Sequence, residues 1–146
     1  MRALVEATLT VASPRAPVAD IGAGDGQVAL RLHDLGLPVV ATEFHPGAYA
    51  RLPSQLDRRL GDGLAPLRPG EVEGAIIAGM GARNMIGILE RDRDLARTLG
   101  WLVLQPQQKP DLLETWIDES GWRRTATCNV RQGSRDYRLL VLRWAA

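Results

Sequence analysis

The sequence has few of the features that disulfide-rich, membrane-spanning or metal-binding proteins depend on. It contains one cysteine, Cys128, which excludes an internal disulfide framework and a cysteine-rich zinc site and favours a reducing compartment, the cytoplasm. Every hydrophobic stretch is interrupted by Arg, Asp, Pro or Gly before it reaches the roughly 18 residues of a membrane span. The only histidines, His33 and His45, lie far from any matching ligand set, so no metal site is expected.

The chain as a whole also lacks an excess of charge of either sign. Eighteen Lys plus Arg face seventeen Asp plus Glu, and the formal net charge of +1 points to no polyanionic partner. The 146 residues are 45% hydrophobic, which suits one globular domain with a sizeable core. We therefore expect a single domain over residues 1–146.

Short apolar runs alternate with segments of helical periodicity, a pattern typical of a parallel α/β sheet. A closing pair of β-favouring runs around a glycine turn predicts an antiparallel hairpin. The fold expected is therefore a mostly parallel sheet with helices on both faces and a C-terminal hairpin. The predicted strands are 18–21, 37–42, a weakly marked strand at 58–60, 74–78, 101–104, 125–130 and 137–144, and the predicted helices are 1–11, 27–35, 46–56, 84–99 and 111–119.

A glycine-rich segment, Asp20-Ile21-Gly22-Ala23-Gly24-Asp25-Gly26, joins the first predicted strand to a helix. Glycines let the backbone turn sharply and approach a ligand, and the helix that follows presents free N–H groups to a carboxylate or phosphate. This position in the fold favours a cofactor loop over a plain turn.

Two acidic residues narrow the choice of cofactor. Glu43 ends the second strand, where a carboxylate can accept both ribose hydroxyls of an adenosine, as in NAD and S-adenosylmethionine. Asp20 would repel the pyrophosphate of NAD but attract the ammonium of a methionine. S-adenosylmethionine is therefore preferred, and Asp62, in a turn after the third strand, is placed to accept a hydrogen bond from the adenine amino group.

Several segments carry a family resemblance. Ile77-Ala78-Gly79-Met80-Gly81 and Leu104-Gln105-Pro106, preceded by Ala19-Asp20-Ile21-Gly22 and Gly61-Asp62-Gly63-Leu64, resemble the bacterial tRNA (adenine(22)-N1)-methyltransferase family, as do Trp116 and Gly121-Trp122. The resemblance implies a Rossmann-like class I methyltransferase with a seven-stranded sheet. It also implies S-adenosylmethionine as cofactor, S-adenosylhomocysteine as product, and tRNA adenine N1 as methyl acceptor.

The sequence departs from that family at three places. Ala23-Gly24-Asp25-Gly26-Gln27-Val28-Ala29 replaces the family's Ser-Asp-His-Ala-Tyr-Leu-Pro, and Gln107 replaces an Asn. The family's C-terminal coiled coil is not expected here, because the sequence ends at Ala146. Two alternatives therefore stay open: a methyltransferase for another substrate, and an inactive module that binds the cofactor.

The candidate residues follow from these segments. The candidate cofactor-binding residues are Asp20, Gly22, Ala23, Gly24, Gly26, Glu43, Phe44, Asp62, Gly63, Ala78, Gly79 and Met80. The candidate catalytic residues are Asp25, Gln105 and Asn84.

Positive charge is concentrated at the C-terminus. Residues 121–146 hold six arginines and one acid, against twelve bases and sixteen acids in residues 1–120. Such a hairpin fits contacts with tRNA phosphates, and it equally fits a charged sheet edge that resists pairing with another chain. The arginines proposed for tRNA contact are Arg123, Arg124, Arg131 and Arg135.

Overall fold

A computed structural model describes residues 1–144, which form seven strands and six helices. Within that range no helix is both long enough and apolar enough to cross a membrane. The strands are β1 (Val18–Ile21), β2 (Val39–Glu43), β3 (Asp57–Leu60), β4 (Gly74–Met80), β5 (Trp101–Pro106), β6 (Trp122–Gln132) and β7 (Arg135–Trp144). The helices are α1 (Arg2–Val11), α2 (Gln27–Asp34), α3 (Pro46–Ala50), α4 (Ala82–Arg91), α5 (Arg93–Ala96) and α6 (Pro110–Ser120).

The strands form one sheet in the order β3-β2-β1-β4-β5-β7-β6. The first five are parallel, and β7 runs antiparallel to both β5 and β6. The predicted fold class is therefore confirmed: a mostly parallel seven-stranded sheet that ends in an antiparallel hairpin. Since the parallel strands share one direction, Asp20 of β1, Glu43 of β2 and Gln105 of β5 lie at the same edge, where the carboxyl ends of the strands meet.

Alternate residues of the central strands point into two separate cores, as the two-residue period of a strand requires. Ile21 and Ile77 belong to the core that β1 and β4 share with α4 and α6. Val18 and Ile76 belong to the core on the opposite face, with α1 and α2. Both faces of β1 and most of β4 are therefore buried, which explains why their sequences are apolar except at Asp20.

Two predicted helices are shorter in the structure. The helix expected over 84–99 is divided at Asp92, whose ψ of 49° does not continue a helix. The helix expected over 46–56 ends at Ala50, shortly before Pro53. Proline disfavours helical backbone in the residue before it, which here is Leu52.

The C-terminal hairpin is longer than predicted, because β6 and β7 continue to a tight turn at Gly133. β5 pairs with β7 only from Leu140 to Arg143, whereas β6 pairs with β7 along its whole length. Residues 128–139 therefore form a two-stranded ribbon that extends past the carboxyl end of β5. This ribbon, called here the β6–β7 ribbon, lies at the edge of the sheet where the candidate site residues are gathered.

Candidate cofactor and acceptor cavities

The glycine loop has a left-handed backbone at each of its three glycines. Gly22, Gly24 and Gly26 have φ values of +66°, +62° and +78°, which other residues adopt only with strain. A Cβ atom on Gly22 would lie 3.1 Å from the Met80 methyl carbon, and one on Gly26 would lie 2.6 Å from Pro53 Cδ. A Cβ on Gly24 would meet nothing within 4 Å. Gly26 therefore has no room for a side chain, Gly22 is tightly packed against the Met80 methyl group, and Gly24 faces open space.

Hydrogen bonds tie this loop to the end of β2. The N–H of Gly24 donates to Glu43 Oε2 at 3.0 Å, and the N–H of Ala23 donates to the Thr42 carbonyl oxygen at 2.9 Å. Glu43 is buried, with 7% of its surface exposed, and it borders the larger cavity described below. Its second oxygen, Oε1, has no hydrogen bond to residues 1–144 and is free for a ligand hydroxyl.

Asp20 is a buried carboxyl group with no salt bridge to any residue in the described range. Burial raises its pKa from 3.8 to about 7, and the carboxylates of Glu43 and Asp25 push it in the same direction, against a hydrogen bond from the Ala29 backbone. A buried acid whose pKa is close to 7 is partly uncharged at neutral pH. A positively charged ligand group beside it stabilises the ionised carboxylate.

A cavity of about 640 Å³, called here the first cavity, opens at the carboxyl ends of β1 to β4. Phe44, 56% exposed, lies at its rim in edge-to-face contact with His45, with ring centroids 5.2 Å apart. Its lining includes most of the cofactor residues that the sequence predicts: Gly22, Gly24, Glu43, Phe44, Asp62, Gly63, Ala78, Gly79 and Met80. Ala23 and Asp20 lie on the neighbouring cavity, and Gly26 lines neither.

The structure gives Asp62 a partner that the sequence did not indicate. Arg91, in the last turn of α4, donates from Nη1 to Asp62 Oδ2 at 2.9 Å. Both side chains are about half exposed, and both border the first cavity. Asp62 therefore retains one oxygen, Oδ1, for a ligand amino group, and Arg91 orients the carboxylate.

Gly79 separates the first cavity from a second one of about 290 Å³. It has a φ of +82°, lies at a shift in the β4–β5 register and has open space where a Cβ would stand. Both cavities are lined by Gly22, Gly24, Ala78 and Gly79. The two cavities are therefore adjacent and share a wall at the β4 bulge.

The second cavity contains two of the three predicted catalytic residues. Asp25 and Gln105 line it together with Asp20, while Asn84 lines the first cavity on α4. Asp25 also accepts a hydrogen bond from the N–H of Gln27 at 3.2 Å, which fixes it at the start of α2. The structure therefore brings Asp25 and Gln105 together and places Asn84 apart from them.

The arginines of the hairpin have unequal surroundings. Arg124 is ion-paired with Glu114 and Asp118 of α6, so its charge is already compensated within the fold. Arg131 makes a single exposed pair with Asp136 at 3.5 Å. Arg135 lies with its guanidinium carbon 5.6 Å from the centre of the Tyr137 ring, and Arg123 is exposed.

A family model described as a methyltransferase domain matches residues 4–140. No curated protein sequence matches the chain. Among solved structures, a Streptococcus pneumoniae protein proposed to be a tRNA (m1A22) methyltransferase, in complex with S-adenosyl-L-methionine, is 25% identical with a TM-score of 0.88, over 99% of this chain and 72% of that one.

Two further structures share the fold at lower identity. The B. subtilis m1A22 tRNA methyltransferase TrmK is 22% identical, with a TM-score of 0.84, over 97% of this chain and 64% of that one. A Streptococcus agalactiae protein of the NADB-Rossmann superfamily is 24% identical, with a TM-score of 0.85, over 97% and 67%. The predicted Rossmann-like fold is thereby confirmed.

Proposed function

This chain belongs to the methyltransferase domain family, and we propose that it transfers a methyl group from S-adenosylmethionine to N1 of an adenine in tRNA. The adenine is that at position 22, by analogy with the S. pneumoniae and B. subtilis proteins. The observation that carries the proposal is the buried carboxyl of Asp20, which has no basic partner within residues 1–144 and borders a site divided into two cavities.

The first cavity fits the adenosine half of the cofactor. The free oxygen of Glu43 accepts hydrogen bonds from the ribose hydroxyls, and Asp62 accepts one from the adenine amino group. Gly24 and Gly79 leave room for a ligand close to the backbone. Asp20 binds the methionine ammonium, whose positive charge compensates the buried carboxylate.

The second cavity fits the methyl acceptor. When bound, the cofactor supplies an electrophilic methyl group on a positively charged sulfur. The lone pair of adenine N1 forms the new N–C bond as the C–S bond breaks, so positive charge passes from sulfur to the adenine ring. The carboxylate of Asp25 stabilises that charge, and the amide of Gln105 can hold the edge of the base.

The proposal is tested by incubating the full chain with a tRNA transcript and methyl-labelled S-adenosylmethionine, followed by mass analysis of the nucleosides. Label is expected in 1-methyladenosine. Label in a different nucleoside would favour another acceptor, and cofactor binding without any labelled nucleoside would favour an inactive module.

Reversing the charge of Arg131 and Arg135 together to glutamate is expected to weaken tRNA binding and to flatten its dependence on salt. Neither arginine is held by more than one weak contact, so each is available to neutralise a phosphate. Cofactor affinity should stay unchanged. tRNA affinity measured at several salt concentrations checks this.

Arg124→Glu is the matched control for that pair. It removes ion pairs to Glu114 and Asp118, so it should lower thermal stability with little effect on the salt dependence of tRNA binding. Equal salt slopes for wild type and the Arg131, Arg135 double variant would instead favour a hairpin whose arginines only protect the sheet edge.

A further inference from the structure

The tip of the β6–β7 ribbon forms one wall of the second cavity. Gln132, at the end of β6, and Tyr137, near the start of β7, both line it. Tyr137 is half-buried and pairs across the ribbon with Val130, which packs against the core. Leu139, two residues further on the same face, is 1% exposed and anchors the ribbon. The wall is therefore held in place by the folded core.

The lining of this cavity selects for a particular kind of acceptor. It contains the amides of Gln105, Gln107 and Gln132, the carboxylates of Asp20 and Asp25, and one phenol, and no lysine or arginine lines it. An amide offers both a donor and an acceptor, as does the edge of a nucleobase. The carboxylate of Asp25, with no lysine or arginine beside it in the lining, disfavours an anionic acceptor. The cavity therefore suits a neutral, planar heterocycle.

Tyr137 is the only aromatic side chain among the residues that line the second cavity. Its ring also contacts a positively charged side chain that lies outside this cavity. Arg135 is exposed and covers one face of the Tyr137 ring, at 5.6 Å from its centre. A nucleotide whose base enters the cavity must carry its phosphates outward, toward solvent and the ribbon tip. A stacking ring beside an exposed guanidinium matches those two parts of a nucleotide.

On the basis of the proposed function, we propose that the ribbon tip captures the acceptor nucleotide. Tyr137 stacks on the adenine turned out of the RNA, Gln132 hydrogen-bonds to its edge, and Arg135 binds an adjacent phosphate. The β6–β7 ribbon, and not only the loops after the parallel strands, thus determines which base is presented to the methyl group.

The direct test is the affinity of the full chain, saturated with S-adenosylhomocysteine, for a fluorescein-labelled tRNA transcript. Tyr137→Ala and Tyr137→Leu should weaken binding by about 5- to 150-fold, the range expected for loss of one base–aromatic stack. Tyr137→Phe, which keeps the ring, should bind as wild type does. Tyr137→Leu keeps an apolar side chain suited to a strand. A loss of affinity in this variant therefore reports lost stacking and not a disordered ribbon.

Asn129→Ala is the matched control, because Asn129 pairs with Arg138 and points to the opposite face of the ribbon. It should leave tRNA affinity unchanged. Wild-type affinity in Tyr137→Ala, or no measurable affinity of the wild-type chain for the transcript, would overturn the inference.

A kinetic readout separates this inference from the proposed function. With active enzyme, Tyr137→Ala should raise KM for tRNA and leave KM for S-adenosylmethionine unchanged, whereas a general structural defect would change both. If the wild type binds the transcript but labels no adenine, the proposed function fails, while the affinity series still decides whether Tyr137 stacks on a base.

Discussion

Asp20→Asn should stabilise the free protein above neutral pH and weaken its binding of S-adenosylmethionine by at least about tenfold. Burial raises the pKa of Asp20 from 3.8 to about 7, so the folded state favours the protonated form. The stability this provides is complete below pH 4 and is lost as the pH rises through 7. A pKa raised by three units corresponds to at most ~4 kcal/mol of folding stability, which wild type loses as the pH rises. The Asp20→Asn variant does not lose it, because its side chain is neutral.

The measurement is chemical unfolding of wild type and variant at several pH values, together with calorimetric titration of the cofactor. The difference in unfolding free energy should grow from pH 5 to pH 8 in favour of Asp20→Asn. Asp94→Asn, at an exposed position on α5, should show no such trend. A variant that is less stable than wild type at pH 8, or that binds the cofactor equally well, would contradict the role given to Asp20.

The same carboxyl should make cofactor binding pH-dependent. A bound ammonium lowers the pKa of Asp20 by attraction, so binding releases a proton and the affinity of wild type should increase as the pH rises through 7. Asp20→Asn should show a flat profile over the same range.

Glu43→Ala is expected to reduce cofactor affinity by about 100-fold or more. The substitution removes both the acceptor for the Gly24 N–H and the carboxylate proposed to hold the ribose hydroxyls. Hydrogen bonds to a charged group contribute roughly 1.5–3 kcal/mol each, so losing two or three of them accounts for an effect of this size. Isothermal calorimetry with S-adenosylhomocysteine measures it.

Glu43→Gln is the informative intermediate, because its amide oxygen can still accept from Gly24 while the charge is gone. Its affinity should lie between wild type and Glu43→Ala. Unchanged affinity in Glu43→Ala would place the ribose elsewhere, and preferential binding of NAD by the wild type would overturn the cofactor assignment.

Most strands of the sheet could be predicted from local sequence patterns. Val18 to Ile21 and Gly74 to Ala78 are short apolar runs that end in glycine, and such runs in an alternating order permit few topologies. The glycine loop and Glu43 could be placed because the carboxyl ends of parallel strands meet at one edge.

Features that depend on contacts between residues far apart in the sequence could not be predicted from local patterns. Asp62 meets Arg91 from α4, 29 residues further along the chain, and Arg124 is held by acids of α6. Nothing in the local pattern of either arginine indicates its partner. The division of the helix at Asp92 is likewise not indicated by the local pattern, since the apolar periodicity continues across it.

The role proposed for Tyr137 could not be predicted from the sequence, for a geometric reason. The β-favouring runs predicted a hairpin but not its extension past the end of β5, which depends on how β7 registers with β5 and β6. Only that register brings the ribbon tip beside Asp20 and Gln105 at the second cavity.

The most direct test of the account compares two tRNA transcripts that differ only at position 22, with adenosine in one and guanosine in the other. The full chain is incubated with each and with methyl-labelled S-adenosylmethionine, and the nucleosides are then analysed by mass. We predict 1-methyladenosine from the adenosine transcript and none above background from the guanosine transcript. Equal labelling of both transcripts, or label in any other nucleoside, would contradict it.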